Sequence, residues 1–104
     1  MILTTTDYVP NRKVKKILGV VKGNTIRAKH LGKDIFAGLK HIVGGELKGY
    51  TEMISESREQ AMERMIKEAK ELKADAVINI RFITAEVMQG AAEVLAYGTA
   101  VTLD

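Results

Sequence analysis

The sequence predicts an α+β fold in a single domain spanning residues 1–104, with an antiparallel sheet and two consecutive helices on one side of it. Three observations predict it. Between Thr51 and Lys73 the apolar residues Ile54, Ala61, Met62, Met65, Ala69 and Leu72 recur at spacings of three, four and seven, the period of a helical stripe. After Lys73 the period changes: Ala76, Ile78, Ile80 and Phe82 alternate with Val77, Asn79, Arg81 and Ile83, as on a strand with one face drier than the other. Behind the Gln89-Gly90 turn, Ala91 to Leu103 alternates again, which makes an antiparallel ribbon with its predecessor.

The long helix carries Glu52, Glu56, Glu59, Glu63, Arg64, Lys67, Lys70, Glu71 and Lys73 away from the stripe, a solvated face whose Glu63–Lys67 pair adds only about 0.2–0.5 kcal/mol. Acid early and base late suit the helix dipole. Arg58 falls inside the stripe, between Ile54, Ala61, Met62 and Met65. A guanidinium taken out of water is costly unless paired, so a carboxylate or an anionic ligand is expected beside it.

The chain opens with Ile2 to Thr6, a β-branched run read as a strand, closed by Asp7 to Asn11 with the single proline. A second strand runs from Val14 to Ala28. Gly19, between the apolar pairs Ile17-Leu18 and Val20-Val21, suggests a bulge or a close backbone approach. Gly23-Asn24 reads either as strand interior or as a hairpin turn that divides it. Asp34 is a suitable N-cap for a shorter helix from Ile35 to Val43, with Ile35, Phe36, Leu39, Ile42 and Val43 on its buried face and Gly44 as its stop. Gly38 in its interior costs about 1 kcal/mol relative to alanine, which points to close contact with another backbone. The segment Gly44-Gly45-Glu46-Leu47-Lys48-Gly49 then connects to the long helix.

In the last strand both alternating sets are apolar: Ala92, Val94, Ala96, Gly98 and Ala100 on one face, Leu95, Tyr97, Val101 and Leu103 on the other. A sheet in a small α+β domain normally has one face under helices and one in water. Cover by a second copy of the chain is therefore expected, with the small residues Ala96, Gly98 and Ala100 letting it come close.

Composition removes several function classes. With no cysteine among 104 residues there is no disulfide framework, thiolate metal cage or redox dithiol. No apolar run is long enough to span a bilayer and no leader precedes the first strand, so a cytoplasmic protein is expected. The net charge of +3 divides unevenly: Met1 to Tyr50 carries ten Lys and Arg against three Asp and Glu, and Thr51 to Asp104 carries six against ten. The basic group Arg12, Lys13, Lys15 and Lys16 reads as a nucleic-acid patch or as a solvated turn facing the acidic half of a neighbouring copy. Tyr8, Phe36, Tyr50, Phe82 and Tyr97 do not interleave with it along the chain, so nucleic acid is not expected as a partner.

Taken together, Thr4-Thr5, Asp34-Ile35-Phe36-Ala37-Gly38, Ile42-Val43-Gly44-Gly45 followed by Tyr50, Arg58 with Ala61, Ala74-Asp75-Ala76-Val77 and Gly98-Thr99-Ala100-Val101 resemble the YbjQ-like family, also called UPF0145 or DUF74. The resemblance covers nearly the whole chain. It implies a two-layer β-α-β-β core with helices on one side, assembled as a ring-shaped homopentamer through sheet contacts, with no established activity and a heavy-metal-binding label. Two departures stand out. Lys73 replaces a glycine usual before Ala-Asp-Ala-Val, so the helix must end without its easy left-handed residue. Gly23-Asn24 stands where the family often has Gly-Glu.

The metal label gains little from the residues. His30 and His41 are the only imidazoles, with Asp34 between them, and surface histidines explain both. Met62 and Met65 are thioethers one turn apart, the usual filler of a helix stripe. No metal site and no cofactor is assigned. An anion is better served: Gly44, Gly45 and Gly49 precede the long helix, where free amides and the dipole attract phosphate or carboxylate. Arg58 lies two turns further on. It is either a ligand clamp or a buried ion pair with Asp34, Asp75 or a neighbour's carboxylate. No serine, threonine or carboxylate pair forms a recognisable catalytic frame. The sequence therefore reads as a self-associating structural or interaction protein. The alternative is a protein that binds a small anion or metal at subunit junctions through Arg58, Asp34, Gly44 and Gly45.

Overall fold

The structure, a computed structural model, describes residues 1–28, 42–43 and 46–104. Its elements are β1 (Ile2–Leu3), β2 (Val14–Ala28), β3 (Ile42–Val43), β4 (Glu46–Leu47), α1 (Lys48–Glu71), β5 (Ala76–Met88) and β6 (Ala91–Leu103). The main sheet has the order β1-β5-β6-β2. Both β2 and β5 run antiparallel to β6, while β1 pairs with β5 in parallel, so the sheet is mixed and not purely antiparallel as expected. The β-α-β-β core is β2-α1-β5-β6.

The turn before β2 has a local cause. Pro10 presets its own φ, Asn11 accepts φ 64, and the Arg12 amide donates to the Val9 carbonyl at 3.2 Å, the residue pattern of a type II turn. From there β2 runs unbroken to Ala28, with a register shift between Ile17 and Gly19, whose φ is 137. Gly19 thus marks a bulge. Gly23-Asn24 is strand interior, not a hairpin: Gly23 pairs with Ala96 and Asn24 with Leu95.

The glycine at 23 serves the helix. A Cβ there would lie 2.2 Å from the Ala61 carbonyl oxygen and 2.4 Å from the Met65 amide nitrogen, so α1 rests its backbone directly on β2. The contact stripe of α1 is Met53, Ser57, Ala61, Met65 and Ala69, one residue every four, all buried. Beneath it, Val21, Val77, Ile80, Val94, Ala96 and Ala100 complete the main core. Two buried hydroxyls stitch the seam: Thr25 Oγ1 donates to the Ser57 carbonyl at 2.9 Å and Ser57 Oγ to the Met53 carbonyl at 2.8 Å. A hydroxyl taken out of water without a partner is costly, and both are satisfied.

The end of α1 answers the missing glycine. Lys73 itself adopts φ 61. Its amide donates to the Lys70 carbonyl at 3.0 Å and the Ala74 amide to the Ala69 carbonyl at 3.1 Å, the paired bonds of a Schellman stop. Lysine occupies the position that favours glycine, so α1 ends in place, two residues short of the expected Lys73.

The short helix expected over Ile35–Val43 falls largely outside the described residues. Its last two positions are not helical: Ile42 and Val43 form β3 and pair antiparallel with Leu47 and Glu46 of β4. β4 and the start of α1 at Lys48 occupy what was expected to be a plain connection.

β5 breaks the simple alternation. Asn79 takes φ 54 and the register with β6 shifts between Ile78 and Arg81. Asparagine tolerates that left-handed conformation better than most residues. Opposite the bulge, a Cβ on Gly98 would lie 2.7 Å from a Val77 methyl and 2.9 Å from the Ile78 carbonyl, so the glycine makes room for it. As a result Ile80 joins the core under α1, whereas Ala76 and Ile78 pack on the other face with Val101, Leu103 and Val9. The expected set Ala76, Ile78, Ile80 and Phe82 is therefore divided between the two faces.

Candidate functional site

Arg58 is exposed, not buried within the stripe. The stripe recurs every fourth residue through Ser57 and Ala61, which turns position 58 outward, so no burial penalty demands a partner. Among the described residues it has no hydrogen bond or ion pair. The Asp75 carboxylate, offered as one partner, accepts the Leu103 amide at 2.8 Å and ties the end of β6 to the end of α1. Asp34, Gly44, Gly45, His30 and His41 lie outside the described residues.

Arg58 does line an open surface groove of about 540 Å³ with Arg27, Ser55, Glu56, Glu59, Gln60 and Glu63. Within it Arg27 is already engaged: one guanidinium nitrogen meets Glu56 Oε2 at 2.7 Å and another Gln60 Oε1 at 3.2 Å. Three carboxylates against two guanidiniums leave the groove without the positive excess that a small anion needs.

The other distinctive surface is the rim of the sheet. No described strand pairs with the outer side of β2, or with β5 beyond Ile80, where the amide donates to the Thr4 carbonyl at 3.1 Å. The large exposed apolar side chains of the three long strands sit on those two edges: Val14, Ile17, Val20 and Ile26 on β2, and Phe82, Ile83, Val87 and Met88 on β5. On β6 there are none. Val20 is 69% exposed and Met88 66%. The small residues Ala96 and Ala100, expected to admit another subunit, instead lie under α1, and Gly98 faces the β5 bulge.

Among the described residues no three His, Asp or Glu side chains converge to hold a metal ion. Soft metals favour thiolates and thioethers; the chain has no cysteine, Met65 is fully buried in the core and Met62 packs against it. The described donors do not fit a heavy-metal centre. No helix among the described residues is long and apolar enough to cross a membrane.

Fold and surface together define a small α+β protein in which one helix seals one face of a sheet whose rim is left apolar. Residues 1–104 match a family model, YbjQ, described as "Putative heavy-metal-binding". A UPF0145 protein of Archaeoglobus fulgidus is 66% identical over 103 residues, covering 99% of this chain and 95% of the relative. A UPF0145 protein of Thermotoga maritima is 60% identical over 104 residues, covering 100% and 98%. The chain belongs to the UPF0145, or YbjQ-like, family. A crystal structure of a DUF74-family protein of unknown function from Pediococcus pentosaceus superposes with a TM-score of 0.70 at 21% identity, covering 100% of this chain and 98% of that one. That likeness bears on the fold.

Proposed function

We propose that the protein is a cytoplasmic self-assembling module whose copies join edge to edge, the free side of β2 in one copy pairing with the free side of β5 in the next. The single observation that carries this reading is the placement of exposed apolar residues on the two sheet edges and not on the middle strand. Exposed edge strands present unpaired amides and carbonyls that template pairing with another chain. Both β2 and β5 run opposite to β6, so they run parallel to each other. Two different edges meeting head to tail give a ring when the rotation closes. The pentameric ring implied by the family resemblance is one such closure. The ring presents a surface and performs no chemistry of its own.

A ligand clamp at Arg58 is the weaker reading, because Glu56, Glu59 and Glu63 share its groove. Light scattering on purified protein tests the assembly: a mass several times 11.4 kDa is expected. Ile83→Lys places a charge on the β5 edge and is expected to release monomers, since lysine is a natural guard of free edges. A cooperatively melting species of about the chain mass in the unmodified protein would sink the proposal.

A further inference from the structure

The uncovered face of the sheet carries a row that the linear sequence conceals. Lys22 of β2 is the register partner of Tyr97 of β6, and Tyr97 is the partner of Arg81 of β5. Cross-strand partners share a face. Along β6, Tyr97 belongs to the same alternating set as Leu95, Val101 and Leu103, and Val101 and Leu103 pack away from α1. The row therefore lies on the side opposite the helix, a half-buried phenol ring with an exposed cation on each flank.

Arg81 is held in place. One guanidinium nitrogen donates to the Thr5 carbonyl at 3.0 Å and to the Ile80 carbonyl at 2.9 Å, while the other donors have no partner among the described residues. A guanidinium has five N–H donors in a fixed fork, so anchoring one nitrogen leaves donors for an anion. The neighbouring row, Asn24, Leu95 and Ile83, adds apolar surface, and the one carboxylate facing the same side on these strands, Glu93, is four residues from Tyr97 along β6. The basic strand continues the charge: from Tyr8 to Ala28 there is no Asp or Glu and there are six Lys and Arg.

We propose that this row is a binding site for single-stranded nucleic acid, with one base stacked on Tyr97 and the phosphates on either side of it held by Lys22 and Arg81. Base stacking on an aromatic platform between backbone-tracking cations is the general solution for binding unpaired strands without sequence preference. Lys22 and Arg81 stand two strand spacings apart, roughly 10 Å between backbones; Lys22 reaches from one flank, and Arg81, held at the outer side of β5 by the Thr5 carbonyl, presents its remaining donors from the other. Tyr97 lies on the middle strand and Lys22 and Arg81 on the two strands whose outer sides are assigned above to assembly. The row uses their face and assembly their outer backbone, so binding and assembled mass are read separately.

Fluorescence anisotropy with a labelled thymidine 10-mer on the purified protein tests it. Two phosphate contacts predict about a sevenfold loss of affinity between roughly 50 and 200 mM salt, and Lys22→Gln is expected to lower that salt slope by about 0.7. Tyr97→Leu is expected to weaken binding at least about fivefold, with Tyr97→Phe restoring it, because the stacking surface and not the hydroxyl is used. The same variants are followed by light scattering and thermal melting. Equal binding by Tyr97→Leu and the unmodified protein overturns the site. So does a duplex that binds as tightly as the single strand, no binding at roughly 100 µM protein, or a Tyr97→Leu variant that binds normally per folded copy but changes the assembled mass.

Discussion

The second half of β5 and its partner β6 have similar apolar content but opposite fates. Ala91, Ala92, Val94 and Ala96 are buried, while Arg81 to Met88, which pairs with Tyr97 back to Ala91 with a register shift between Glu86 and Met88, is exposed throughout. β6 has a strand on each side and α1 across one face; the far half of β5 has a strand on one side only. Hydrophobicity sets how much burial would stabilise a residue, whereas place in the sheet order sets how much it receives. The surplus on the β5 edge is thus unspent driving force, available to a second copy.

The covered region is where single substitutions should do the most damage. Met65→Ala removes the largest fully buried side chain and is expected to cost about 3 kcal/mol or more, read by urea denaturation at fixed protein concentration. Gly23→Ala is expected to cost about 3 kcal/mol, because the new methyl meets helix backbone that cannot turn aside. A loss under about 1 kcal/mol would show that α1 rides more loosely on β2 than its contacts state. Lys73→Gly should stabilise by roughly 1 kcal/mol, removing the left-handed penalty of a side chain at the Schellman position less the glycine entropy cost. Lys73→Ala, unable to relieve that penalty, is the control. On the uncovered side, Ile83→Lys should change the stability of the isolated chain by no more than about 0.5 kcal/mol while changing its assembled mass. If instead it unfolds the chain, the β5 edge belongs to the core of a single copy.

Much of the fold was legible because local periodicity carries it. The bounds of β2, the Gln89-Gly90 hairpin turn, the β5 and β6 strands and most of α1 follow from spacing and turn residues. Arg58 was misplaced because a helical wheel averages a stripe, and here the stripe narrows to every fourth residue where Gly23 pulls the helix close. Asn79 was read as a member of an alternation because nothing in a single sequence distinguishes a bulged asparagine from a strand one. The Gly23-Asn24 ambiguity had the same root: a glycine that admits a turn also admits a helix backbone.

By itself the sequence determined β2, most of α1, β5 and β6, the lack of cysteine, the charge division between the halves and the family, since each depends on residues near one another or on simple counts. Tertiary structure alone decided which strands end at the rim, that Arg58 faces outward, and that Lys22, Tyr97 and Arg81 share one row. Those three come from strands separated by the whole length of α1 and by a hairpin. Only the register of hydrogen bonds, a non-local property, can bring them side by side.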